Sequence, residues 1–234
     1  MKFCRDMLFP ESFTDAMIAC ARKAAAGDTE SQLCMAQMYR HGKGVPTNIQ
    51  EAIGWYKRAF DGGYAEAGYH LGRLYTQGSA IANNLEKGAD WHKRAARAGH
   101  VPAMVALGNL LARGAGVEKD LSAAATGYGK AANFKNAGAQ FVYGLMLRDG
   151  RGIAADRIAA YVWICRAIDN DLPEANRIIA ITARQALLKS MSPDEKIRAQ
   201  AVAAAHKEDA QAGAGDDKAS GHERPPGAPA KNAA

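Results

Sequence analysis

One spacing constrains this chain more than any other: small residues recur every 36 positions. Gly42, Gly78, Gly114 and Gly150 stand at that interval, and so do Ala59, Ala95, Ala131 and Ala167. A third column holds Gly72, Gly108 and Gly144, flanked by Ala36 and Ala180, and a fourth holds Ala67, Ala103, Ala139 and Ala175. Trp55, Trp91 and Trp163 share a column in which the third unit has Gly127, and Asn48, Asn84, Asp120 and Asp156 form another. Columns in phase over this length mark an internal repeat, which fixes the fold class before any local reading. The units are 29–64, 65–100, 101–136 and 137–172.

Each unit reads as two helices. Ala67, Leu71, Leu74, Tyr75 and Gly78 follow an amphipathic helical stripe that a glycine ends. Asn84 then caps a second helix, with Leu85, Gly88, Ala89, Trp91, His92 and Ala95 facing inward. A lone pair buries too little apolar surface, so neighbours must stack. The expected fold is all-α: a right-handed α-solenoid of antiparallel helix pairs. Residues 1–28 hold an N-terminal segment with an incomplete leading repeat helix over about 12–27. Residues 173–208 form C-terminal capping helices, the last opened by the capping box Ser192-Pro193-Asp194-Glu195 and running to about Lys207. Residues 209–234, rich in Ala, Gly and Pro, read as a disordered tail.

At 48% hydrophobic and 23% charged the chain has the balance of a folded domain, and no apolar run is long enough to span a bilayer. The formal net charge is +6, but the cations are spread, with clusters no longer than Lys57-Arg58 or Lys93-Arg94. A dedicated nucleic-acid surface concentrates them, so nucleic-acid binding is not expected. Arg5 and Asp6 interrupt any apolar leader at once, and a cytoplasmic location is expected.

The columns resemble the Sel1-like repeat, a relative of the tetratricopeptide repeat. The best copy is Gly42-Lys43-Gly44-Val45, Asn48, Ala52 and Trp55-Tyr56-Lys57-Arg58-Ala59. Gly114-Ala115-Gly116-Val117 with Asp120 and Gly150-Arg151-Gly152-Ile153 with Asp156 repeat it, while the second unit departs at Ser79-Ala80-Ile81. The resemblance spans about 12–207. It implies a bacterial-type scaffold or adaptor that binds other proteins; the alternative it leaves is an exported cell-envelope or host-interaction protein. Some relatives staple adjacent helices with cysteines. Cys20 and Cys34 lie seven residues either side of Gly27 and would face each other across a helix pair, so a disulfide between them stays open.

No enzyme is expected. The Gly-x-Gly loops follow helices and lack a phosphate-loop ending, so they read as turns. The histidines form no metal-binding spacing, and the cysteines form no Cys-x-x-Cys pair, so neither metal nor cofactor is expected. The chain has no Ser-x-x-Lys or Lys-Thr-Gly, the set that activates a serine nucleophile.

The expected binding surface is a concave groove lined by the first helix of each repeat. Cys34, Gln37 and His41 share one face, and the same slots give His70, Arg73 and Gln77, then Ala106, Asn109 and Arg113, then Val142, Leu145 and Asp149. These slots vary in chemistry while their neighbours stay Leu, Gly and Tyr. The groove is expected to run from polar (Gln37, His41, His70, Arg73, Gln77, Asn109, Arg113) to apolar (Val142, Leu145, Ile178, Ile181). Its occupant would be a protein or peptide, and a monomer is expected.

Overall fold

The structure is a computed structural model that describes residues 13–78 and 83–219; the departing loop at Ser79-Ala80-Ile81 lies outside them. Among the described residues it is entirely helical. The order is α1 (Phe13–Ala25), α2 (Thr29–His41), α3 (Ile49–Asp61), α4 (Ala65–Gln77), α5 (Leu85–Arg97), α6 (Val101–Arg113), α7 (Leu121–Asn133), α8 (Ala137–Asp149), α9 (Arg157–Asp169), α10 (Glu174–Ser190) and α11 (Pro193–Ala219). The all-α helix-pair class read from the repeat is the observed one.

The turns show why the period holds. After α2 and α8, Gly42 and Gly150 adopt left-handed φ of 67° and 65° and return their amides to the helix end. The amides of Asn48, Asn84, Asp120 and Asp156 then reach back to the carbonyls of Tyr39, Tyr75, Leu111 and Leu147 at 2.8–3.0 Å. Their side chains accept from the third residue onward at 2.9–3.1 Å, capping α3, α5, α7 and α9. Each cap contributes about 1 kcal/mol.

The chain divides into two compact units at Ala103/Met104. In the first, α1 packs on α2, α2 on α3, α3 on α4 and α4 on α5. Ala36, Ala52, Ala59, Ala67 and Ala95 are fully buried and let the helices close on Tyr56, Leu71 and Leu74. In the second, α8 packs on α7 and α9, and both α10 and α11 pack on α9. Its core gathers Phe141, Leu147, Ile164, Ile168, Leu172, Leu187 and Met191.

Small residues on the first helices serve particular partners. A Cβ at Gly72 would stand 2.6 Å from the His92 ring, at Gly108 3.0 Å from the Tyr128 ring, and at Gly144 2.8 Å from Ile164. The bulky residue thus sits in the column of Tyr56, His92, Tyr128 and Ile164. The neighbouring tryptophan column is less enclosed. There Arg58, Arg94 and Arg166 lie over Trp55, Trp91 and Trp163 at 4.5, 4.0 and 4.6 Å.

The turns between pairs form another column. Gly27, Gly63 and Gly99 have φ of 98°, 95° and 87°, but Lys135 and Asp171 hold the left-handed conformation with φ of 58° and 56°. A side chain there costs about 1 kcal/mol.

The C-terminal capping box forms as read: the Glu195 amide donates to Ser192 Oγ at 3.3 Å, and the Ser192 amide to Glu195 Oε2 at 2.9 Å. Arg157 fastens α11 to α9 through Glu195 at 3.0 Å and the Ser190 carbonyl at 3.1 Å. The helix continues to Ala219, past the 209 boundary read for the tail. Alanine is frequent there, and it favours helix more than any other residue. The rest of that stretch lies outside the described residues. Cys20 and Cys34 are buried in one cluster with Ala24, Met35 and Met38, and the Cys20 thiol donates to the Ser31 carbonyl at 3.6 Å.

Candidate protein-binding faces

In the first unit α4 carries a set of polar and aromatic side chains that touch one another. Helical spacing places Glu66, Tyr69, His70, Arg73 and Gln77 along one side. His70 Nε2 lies 3.3 Å from Glu66 Oε1, and Arg73 donates to Gln77 Oε1 at 3.4 Å. The Arg73 guanidinium stands 5.8 Å from the centre of the Tyr69 ring. That ring is bracketed by His70, His92 and His100 at 5.7, 5.6 and 5.0 Å, and His70 also stacks on Tyr56 at 5.4 Å. An aromatic platform edged by a cation and an anion results.

The charges follow from these contacts. The hydrogen bond from His70 holds the Glu66 carboxyl below its ordinary range, against burial, which raises it. Burial pushes His100 down, partly opposed by Glu66. Burial also lowers His41, helped by the cations Arg40 and Lys43. His92 is pushed to about 4 by burial and then by His100 and Arg73, so its ring is neutral near pH 7. Its Nδ1, packed against Gly72, has no hydrogen-bond partner among the described residues.

The slots read from the sequence meet different fates. In the first unit His41 and Gln77 are exposed, and Gln37, His70 and Arg73 are half-buried. Cys34 in the same slot is core. In the second unit Arg113 and Asn109 are both exposed, and Asn109 also accepts a 2.8 Å hydrogen bond from the Tyr128 hydroxyl, which ties it to α7. Asp149 is clasped by its neighbour Arg148 at 2.6 and 2.9 Å, and Leu145 and Ile181 pack on the core. Ile178 and Ile179 on α10 are 62% and 55% exposed, because α11 lies on α9 instead of covering them.

Glu66, Tyr69, His92 and His100 were missed by the slot reading. The signal for His92 was present, since it occupies the column of Tyr56 and Tyr128. Tyr69 precedes a slot residue and so falls outside a pattern of threes and fours.

Comparison with known proteins agrees with this architecture. The family model described as Sel1 repeat matches residues 29–64, 65–100, 101–133 and 137–172. Among solved structures, c5321, a protective antigen present in uropathogenic Escherichia coli strains and displaying an SLR fold, is similar at 25% identity and a TM-score of 0.72. The match covers 97% of this chain and 48% of that one. A Sel1 repeat protein from Oxalobacter formigenes is similar at 28% identity and a TM-score of 0.65, over 72% of this chain and 49% of that one. The chain therefore spans about half the length of these relatives. A comparison with curated proteins gives no match.

Proposed function

This chain belongs to the Sel1 repeat family, and from that premise we propose that it is a non-enzymatic scaffold that binds a segment of a partner protein on its first-helix faces. The α4 face carries the reading. Tyr69 offers a ring bracketed by three histidines, and Arg73 and Gln77 sit at its edge without a role in the core. Aromatic rings and arginines concentrate binding energy in protein interfaces. Arg113 and a formal charge of +6 favour a partner segment that carries carboxylates.

The test is affinity capture from native lysate at moderate and high salt, comparing wild type with an Arg73→Glu, Arg113→Glu variant whose circular dichroism is unchanged. Loss of one or two salt-resistant proteins in the variant is expected. Equal capture by both forms counts against these faces.

A second reading, an exported or surface protein, is favoured by the similarity to c5321. Cell fractionation decides it: recovery wholly in the cytosolic fraction rejects export.

A further inference from the structure

The second unit carries a half-open cavity of about 260 Å³ at the C-terminal ends of α7 and α9, walled on one side by α11. Lys135, Lys207 and His206, all exposed, stand at its rim with the half-buried Arg166, and the exposed Asp169 is the single carboxylate of the lining. Its polar floor is Gln140, which is 2% exposed; its amide donates to the Ala132 carbonyl at 3.1 Å and accepts from Asn170 at 2.9 Å.

Two observations point to a ligand. First, among the described residues none of the three permanent cations forms an ion pair; Arg166 lies instead on the Trp163 ring. Second, the local charges leave a surplus. The ends of α7 and α9 bring roughly half a negative charge each, and Asp169 brings one more, which together answer two of the three cations.

We propose that this cavity binds a carboxylate, presented by a small organic acid or by the end of a peptide. The planar guanidinium of Arg166 suits a carboxylate's two oxygens, and Lys135 and Lys207 add point charges. The surplus of about one charge matches a carboxylate better than doubly charged phosphate. At about 30 Å³ for each water displaced, the cavity has room for a four-carbon acid.

Cys165 lines the same wall and is half-buried, so it reports occupancy. Burial pushes the Cys165 thiol above its ordinary range, so the full chain is alkylated with iodoacetamide at about pH 9 with long exposure, and Cys165 is followed by mass spectrometry. Butyrate, a four-carbon acid with a single charge, at about four times its Kd leaves about a fifth of sites open, so the rate falls about fivefold. Sodium chloride at matched ionic strength leaves the rate unchanged. Arg166→Gln and Lys207→Gln lose the protection while circular dichroism stays the same. Side-chain amide resonances of Gln140 and Asn170 give a second readout, independent of thiol reactivity, and shift on binding. A short peptide with a free C-terminus, against its amidated form, separates the sources: protection by the free form alone assigns a protein end, and protection by butyrate alone a metabolite. Equal protection by sodium chloride or by inorganic phosphate overturns the assignment. So does protection that survives both substitutions, or the lack of both protection and resonance shifts with about 10 mM of each carboxylate, a range that covers weak sites.

Discussion

Against Gly72 the first unit buries His92, and against Gly144 the second buries Ile164. The backbone frame is the same, and both side chains fill the space left by a missing Cβ. The chemistry differs: Ile164 contributes apolar area alone, whereas His92 keeps a ring that must stay neutral to remain buried. Along the first helices the contrast continues. Glu66, His70, Arg73 and Gln77 in the first unit correspond to Gly138, Val142, Leu145 and Asp149 in the second. One frame therefore supports a titrating polar face and a largely apolar one, because the capped turns and buried alanines hold the frame without either.

The sharpest way to break the comparison is to empty the apolar side. Ile164→Ala removes a fully buried side chain from the second unit's core. It is expected to cost about 4 kcal/mol, equally at pH 7.5 and pH 5. Chemical denaturation at both values checks this. A loss below about 1 kcal/mol would mean that the helices collapse onto the space.

The next effect belongs to His92. Its folded pKa of about 4 lies below the ordinary value, so between the two the unfolded chain binds the extra proton. Stability is then fully present above about pH 6.5 and falls as pH drops toward 4, by about 3 kcal/mol in all. His41 and His100, also lowered, act in the same direction. Glu66, held below its usual range, adds a loss only as its own carboxyl protonates at lower pH. His92→Tyr, which copies Tyr56 and Tyr128, is expected to remove most of the slope. An unchanged slope in the variant would assign it to other groups.

The smallest effect exchanges the turns. Gly63→Lys places a side chain at φ 95° and is expected to cost about 1 kcal/mol. Lys135→Gly relieves φ 58° and gains only about 0.5 kcal/mol, since glycine's freedom in the unfolded chain offsets part. Thermal unfolding reads both, and shifts of the same sign would show that the two turns are not equivalent.

The helix pairs were legible because their signals are local and periodic. Asn48, Asn84, Asp120 and Asp156 each cap a helix where the spacing places them. The site was less legible, because exposure depends on what folds against a face. Leu145 reads as a free groove position until the core of the second unit claims it, whereas Asn109 stays exposed and only its side-chain oxygen is engaged by Tyr128. Tyr69 gains its character from His92 and His100, which come from α5 and the turn after it. The cavity near Lys135 depends on α11 folding back onto α9, which no repeat column encodes.

The return of each cap amide to a carbonyl of the preceding helix has a consequence for how such chains change in length. These contacts run main chain to main chain, so a turn closes whatever side chains flank it. A copied stretch of 36 residues carries its own closure with it. Duplication can thus lengthen the chain in whole helix pairs, leaving the copied surface residues free to diverge while the turn geometry persists.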